Sequence, residues 1–263
     1  MYGLDWDKEA ALENLKLTLC YDGSEYHGWQ RQENAMTVQQ RVEEALSRVV
    51  KQSVTVLGCS RTDAGVHARE YVCNTHVITS VPDDKMPYAL NALLPDDICV
   101  TSCRRVPHEF HARFDTVAKE YCYTLCNQPH KDPFSVKYAW HYPYALDFEA
   151  MKRACEDLVG TYDCTVFEAA GSDTKGTRVR SIYKVELTKE GNFIRFRICA
   201  NGYLYNMVRI MMGTLVSVGN GKLSADCIPM LIERKDRRLA GITAAPQGLC
   251  LTKVWYKKED WCR

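Results

Sequence analysis

The sequence carries almost no net charge: 34 Lys and Arg stand against 33 Asp and Glu, leaving +1. So small a charge neither demands nor excludes a nucleic-acid partner; only a clustered basic surface argues for one. No apolar run reaches the roughly 18 residues that a transmembrane helix needs. The first residues, Met1-Tyr-Gly-Leu-Asp-Trp-Asp-Lys8, are acidic and lack an apolar core, so they do not read as a secretory signal. Low-complexity segments and Gly/Ser linkers are missing too. So is any C-x-x-C, although the chain has 13 cysteines. The odd count, the length of 263 residues and the missing signal speak against a disulfide framework.

The nearest thing to a zinc site is Cys99-x3-Cys103 followed by Cys122-x3-Cys126. Both pairs fall in strand-like segments, where residues four apart are separated by roughly 13 Å. Thiolates so spaced cannot share one zinc at about 2.3 Å. The cysteines therefore read as reduced, mostly buried fillers, and the compartment as cytoplasmic.

What is present is a regular alternation of strand and helix patterns. Leu15, Leu17, Leu19 and Tyr21 alternate with polar residues at the period of a half-buried strand. Val38, Val42, Ala45, Leu46 and Val49 form one face of a helix over 38–50, with Thr37 and Gln40 as its capping box. Strands follow near 53–59 and 71–79, then a short helix near 86–93. The second half repeats the theme. It has a strand at 119–126, a helix at 148–159 stopped by Gly160, and a hairpin of 181–188 with 192–200. Helices near 206–218 and 224–234 precede a last strand at 248–256. Hairpin pairing favours antiparallel α+β sheets with helices on one face over a doubly wound parallel sheet. Two domains are expected, 1–110 and 111–263, with the division lying within about 105 to 118.

The most informative stretch is Gly58-Cys-Ser-Arg-Thr-Asp-Ala-Gly-Val-His-Ala68. It leaves a strand, packs Arg61, Thr62 and Asp63 together, then turns on small residues that admit a close neighbour. Taken alone, it also suits a turn in which Asp63 bonds its own loop.

Arg61-Thr-Asp-Ala-Gly-Val-His-Ala68 closely resembles the active-site signature of the tRNA pseudouridine synthase A (TruA) family. Other segments match that family in order: Tyr21-Asp-Gly-Ser-Glu-Tyr-His-Gly-Trp-Gln-Arg-Gln32, Asn91-Ala-Leu-Leu-Pro-Asp-Asp-Ile98 and Phe110-His-Ala-Arg-Phe114. Lys119-Glu-Tyr-Cys-Tyr123, Asn206-Met-Val-Arg-Ile-Met-Met-Gly213 and Ala245-Pro-Gln-Gly-Leu249 continue the series. The resemblance spans about residues 15 to 256. It implies a cofactor-free, metal-free enzyme that turns uridine into pseudouridine in the anticodon stem-loop of tRNA, typically at positions 38 to 40. It also implies two ferredoxin-like (RRM-like) α+β halves with mostly antiparallel sheets side by side around a basic cleft, the N-terminal half carrying the Asp loop, and a homodimer. By motif position, Asp63 resembles the catalytic aspartate and Arg61 the arginine linked to displacing the target nucleotide. Tyr121 matches the tyrosine that stacks on the target base, Arg209 the arginine that pairs with the aspartate, and Leu249 the leucine lining its pocket.

The bare residues suit that chemistry. Isomerisation breaks the bond from N1 to C1′, turns the uracil and joins C5 to the same sugar. One carboxylate in a site closed to water suffices, unlike the spaced pair of a glycosidase. A nearby arginine keeps it charged. The base must leave its stack, which suits an aromatic platform and an arginine that fills the gap. The residues do not set whether Asp63 attacks C1′ or the uracil ring.

Some features have plainer readings. His108-Glu-Phe-His111 looks superficially like a metalloprotease motif but lacks the H-E-x-x-H spacing and reads as loop beside the RNA path. Arg195 and Arg197 alternate with Phe196 and Ile198, which fits a solvated strand face or a phosphate contact. Where the family has Phe-Thr-Ser-Phe, this chain has Cys164-Thr-Val-Phe167, a lost hydroxyl that bears on RNA contact. Residues 1–13 have no family counterpart. The rival readings are an idle RNA-binding module, the same chemistry on other RNA uridines, and a hydrolase built on Asp63.

Overall fold

A computed structural model describes residues 12–172 and 176–258, so most of the segment without a family counterpart lies outside the described residues. The chain divides into two compact units, Met1–Thr116 and Val117–Arg263. Each is an α+β unit with a mostly antiparallel sheet.

In the first unit, β1 (Glu13–Tyr21) lies between β3 (His67–Val77) and β4 (Ile98–Val106), antiparallel to both. The two-residue β2 (Leu57–Gly58) pairs with β3. Leu15, Leu17 and Leu19 are fully buried, as their period of two requires. Helix α1 (Val38–Val50) starts where the Thr37 hydroxyl accepts from the Gln40 amide, and it buries Val38, Val42, Ala45 and Leu46. Helix α2 (Met86–Asn91) is short, with Pro87 in its first turn.

The strand pattern at 53–59 shrinks to Leu57–Gly58. Val54 and Val56 are buried as the alternation suggests, but α1 fills the strand's bonding. Glu43 accepts from the Val56 amide at 3.1 Å, and the Gln39 amide donates to the Val56 carbonyl at 3.0 Å. A backbone satisfied by helix side chains needs no strand partner. Conversely, β3 begins at His67, four residues ahead of the pattern, because Ala68 already pairs with Tyr21.

The second unit orders its strands β10-β5-β9-β8-β7. These are β5 (Ala118–Asn127), β7 (Gly160–Asp163), β8 (Val179–Glu190), β9 (Phe193–Ala200) and β10 (Leu249–Trp255). All pair antiparallel; only β6 (Trp140–Tyr142) runs parallel to β5. Helices α3 (Phe148–Glu156), α4 (Met207–Gly219) and α5 (Cys227–Arg234) complete it. The predicted stripe Met207, Ile210, Met211 and Leu215 is buried, and so are Val208 and Met212, so α4 is enclosed on most sides. It approaches backbone directly: a Cβ on Gly213 would overlap the Ile242 carbonyl.

Val166 is fully buried beside Phe167. The departure at Cys164-Thr-Val-Phe167 therefore faces the core, not an RNA surface, and a hydroxyl there would meet apolar neighbours.

Candidate active site

Asp63 sits half-buried on the loop between β2 and β3, with Arg61 exposed two residues before it. Between them Thr62 is buried and anchors the loop: its hydroxyl shares a 2.8 Å hydrogen bond with the Tyr21 phenol. Its carbonyl accepts from the Trp29 amide at 3.1 Å. Downstream, the Val66 amide donates to the Asp63 carbonyl and the Gly65 amide to the Tyr26 carbonyl, both at 3.2 Å. Gly65 has φ 75°, the left-handed region in which glycine is strain-free.

The facing wall is the 22–29 turn. Gly28 has φ 85°, and a Cβ there would overlap the Thr62 carbonyl; one on Gly23 would overlap the Val66 carbonyl. Two backbones thus touch with no side chain between them. The Gly23 amide also donates to His67 Nδ1 at 3.1 Å. Behind the loop, Trp29 stacks on Tyr71 at 4.0 Å, Tyr21 lies 5.6 Å from the same ring, and the Tyr71 hydroxyl donates to the Ser60 carbonyl. Complete burial holds the Tyr71 phenol well above its ordinary range, so it stays a neutral donor.

In the second unit Tyr121 and Tyr123 share one face of β5, opposite Leu251 and Leu249 of β10. Tyr121 is 5% exposed and meets Tyr203 edge-on at 4.9 Å. Leu249 is buried at the start of β10. Arg209, in the first turn of α4, donates from Nε to the Ala244 carbonyl at 2.8 Å and from Nη1 to Asn206 Oδ1 at 2.5 Å. The Tyr123 hydroxyl donates to the Ala245 carbonyl at 2.6 Å. Burial pushes that phenol up, and the nearby Arg209 charge opposes the push. Segment 244–249 therefore ties Arg209 to Tyr123 and Leu249.

Of the five residues singled out from the sequence, Arg61 and Asp63 come together on one loop of the first unit. Tyr121, Arg209 and Leu249 are grouped in the second. Two residues escaped sequence reasoning, Asn14 and Asn74. Both are buried in strands, where asparagine is disfavoured, and that mismatch was the available signal. Their amides bond each other at 2.9 Å and hold the 107–112 backbone.

The cysteines fall as fillers: most are buried, and all those described are free thiols. Burial raises Cys103, Cys155 and Cys164 to about 12. Among the described residues no cluster of three or more His, Cys, Asp or Glu is placed to hold a metal ion. No helix among them is long and apolar enough to cross a membrane.

Asp63 is thus a carboxylate on a loop locked by backbone contacts, with an exposed arginine two residues before it. The chain matches the family model described as tRNA pseudouridine synthase over residues 19–115 and 154–257. It belongs to that family, and so is an isomerase acting on uridine in tRNA. Among its relatives, the tRNA pseudouridine synthase A of Thermoanaerobacter sp. (strain X514) is 45% identical over 93% of this chain and all of that protein. The tRNA pseudouridine synthase A 2 of Clostridium perfringens is 44% identical, and the tRNA pseudouridine synthase A of Acetivibrio thermocellus 43%, with the same coverage. A solved Cbf5-Nop10-Gar1 complex contains a chain of 12% identity and TM-score 0.37, covering 92% of this chain and 50% of that one. That likeness is too low to carry weight.

Proposed function

We propose that the chain isomerises uridine in the anticodon stem-loop of tRNA, at positions 38 to 40, with Asp63 as the catalytic carboxylate. The N-terminal unit supplies the Asp loop, and the C-terminal unit supplies Tyr121, Arg209 and Leu249. The observation that carries the assignment is the locked loop: Thr62 is bonded to Tyr21 and Trp29, fixing the backbone on which Asp63 sits. Pre-set geometry is what a group attacking an extruded nucleotide requires. Arg61, exposed beside it, displaces the target nucleotide. Tyr121 gives an apolar aromatic wall, Leu249 lines the pocket, and Arg209 is the cation for the aspartate. The uracil leaves N1–C1′, rotates and rejoins through C5; the C5 proton goes to solvent and N1 takes a proton up, so the product is an isomer. No metal or cofactor takes part. The relatives' names support tRNA as the substrate.

The protein works in the cytoplasm as a homodimer, because a shared cleft holds so long a substrate. Sedimentation should give a mass near twice 30.1 kDa; a monomer of full activity would break the shared-cleft picture. The central test is Asp63→Asn, which keeps the shape and removes the charge. Tritium release from C5-labelled tRNA should vanish while tRNA binding persists. Turnover near wild type would remove Asp63 from the mechanism.

A further inference from the structure

Beside the loop, an open groove of about 190 Å³ has Arg61, Ser60, Trp29, His111, Arg113 and Phe114 in its lining. It is several times the ~30 Å³ of a liquid water, so it has room for a ring. Phe114 is 75% exposed. A phenyl ring left that open buries little of its surface in the free protein. It is not loosely placed, however. The His111 ring lies 4.3 Å from it, and the Arg113 guanidinium 5.8 Å from its centroid.

The strap that carries these three side chains is clamped from below. Asn14 Nδ2 donates to the carbonyls of Pro107, His108 and Phe110, at 2.9 to 3.2 Å. Asn74 gives a further bond to the Phe110 carbonyl and accepts from the Ala112 amide at 2.9 Å. His76 bonds the His108 carbonyl at 2.9 Å. Above the clamp, His111 Nδ1 accepts from the amides of Arg113 and Phe114 at 3.1 and 3.4 Å. With Nδ1 as the acceptor, the neutral ring carries its proton on Nε2. Buried polar groups fully matched to one backbone path fix that path. The strap is preorganised before any ligand arrives.

An open aromatic face, an arginine beside it and a second arginine lining the same groove are how proteins hold an unstacked nucleotide: the base on the ring, the phosphate on the cation. We propose that His111, Arg113 and Phe114 form a second nucleotide subsite, which takes an unpaired nucleotide of the substrate RNA next to the isomerised uridine. Phe114 stacks on that base and Arg113 meets its phosphate. The strand is thereby held while Arg61 enters the gap left by the target. Phe114 is a positioning residue and touches no reacting atom. The inference rests on the anticodon stem-loop reading and on Arg61 lying beside the displaced nucleotide.

The test compares wild type, Phe114→Ala and Phe114→Trp on an anticodon stem-loop and on copies carrying an abasic residue on either side of the target. Phe114→Ala should weaken binding of the intact stem-loop by about 5- to 100-fold, the loss expected for one stacked base. The saturated rate should change far less and the melting temperature not at all. Phe114→Trp should restore affinity, and its indole fluorescence should fall as the base stacks. On one of the abasic RNAs, wild type and Phe114→Ala should bind alike. Wild-type turnover of the stem-loop with indifference to Phe114→Ala overturns the subsite alone. An equal penalty on both abasic RNAs and the intact one also overturns it. Absence of wild-type turnover on the stem-loop, with turnover of another RNA, overturns the substrate reading and the subsite with it.

Discussion

The two groups of candidate residues, one in each unit, are held by different physics. In the first unit the Asp63 loop is fixed by hydrogen bonds and by backbone touching backbone at Gly28 and Thr62. In the second, Tyr121 and Leu249 are fixed by burial between strands, with Arg209 bonded to a carbonyl and an asparagine. Hydrogen bonds and positive-φ glycines specify a position within narrow limits; apolar packing specifies a volume. The loop should therefore fail abruptly when changed, and the aromatic patch gradually.

Asp63→Asn is the sharpest break, with turnover lost and thermal stability unchanged. Next comes Gly28→Ala. The residue must hold φ 85° and push against the Thr62 carbonyl. Strain of about 1–3 kcal/mol is expected, with turnover falling much further because the displaced backbone carries Asp63. Gly213→Ala is its counterpart in the second unit, where the clash is with the Ile242 carbonyl. It should cost similar stability but lose less activity, since the clash reaches Arg209 only through the Ala244 carbonyl that its Nε bonds. Equal activity losses would erase the contrast between the halves. Tyr21→Phe should cost about 1–3 kcal/mol by stranding the buried Thr62 hydroxyl, and should lower turnover measured by tritium release. Leu249→Val, which trims the packed patch, should lower it less.

Arg195→Ala and Arg197→Ala should have small effects. Each guanidinium already faces a carboxylate, Glu190 at 2.6 Å and Glu120 at 3.5 Å. RNA phosphate must displace that partner, so either change should flatten log affinity against log salt by less than about one unit. The smallest effect concerns acid stability. Asp163 is held at about 2 by the Thr165 hydroxyl first and then by Lys235, below its ordinary 3.8. A depressed carboxylate adds stability that is full above about 4 and is lost as pH falls towards about 2. Thermal melts of Asp163→Asn should therefore approach those of wild type across that window.

The fold was legible where pattern and partner lie close together in the chain. Thr37 announces α1 three residues ahead of the amide it caps, and the Leu15–Leu19 alternation announces β1. Residues 53–59 misled because their bonds go to Gln39 and Glu43, which no local pattern reveals. The site followed the same rule. Arg61 and Asp63 lie within one motif and were legible by resemblance. Asn14 and Asn74 act 60 residues apart and on a strap further along, so only the folded chain joins them. Arg195 and Arg197 share a strand face as the alternation says, but Glu120 comes from a neighbouring strand.

The close approach of Gly28 to Thr62 has a consequence for anyone transplanting this site. With no side chain between the two backbones, neither can relax by changing rotamer, and a shift in one becomes a shift in the other. The octapeptide that names the site is thus not a portable part. A graft would have to bring Tyr21 with the 22–29 turn and the 60–66 loop with the Tyr71 ring, two stretches distant in the chain that behave as one solid.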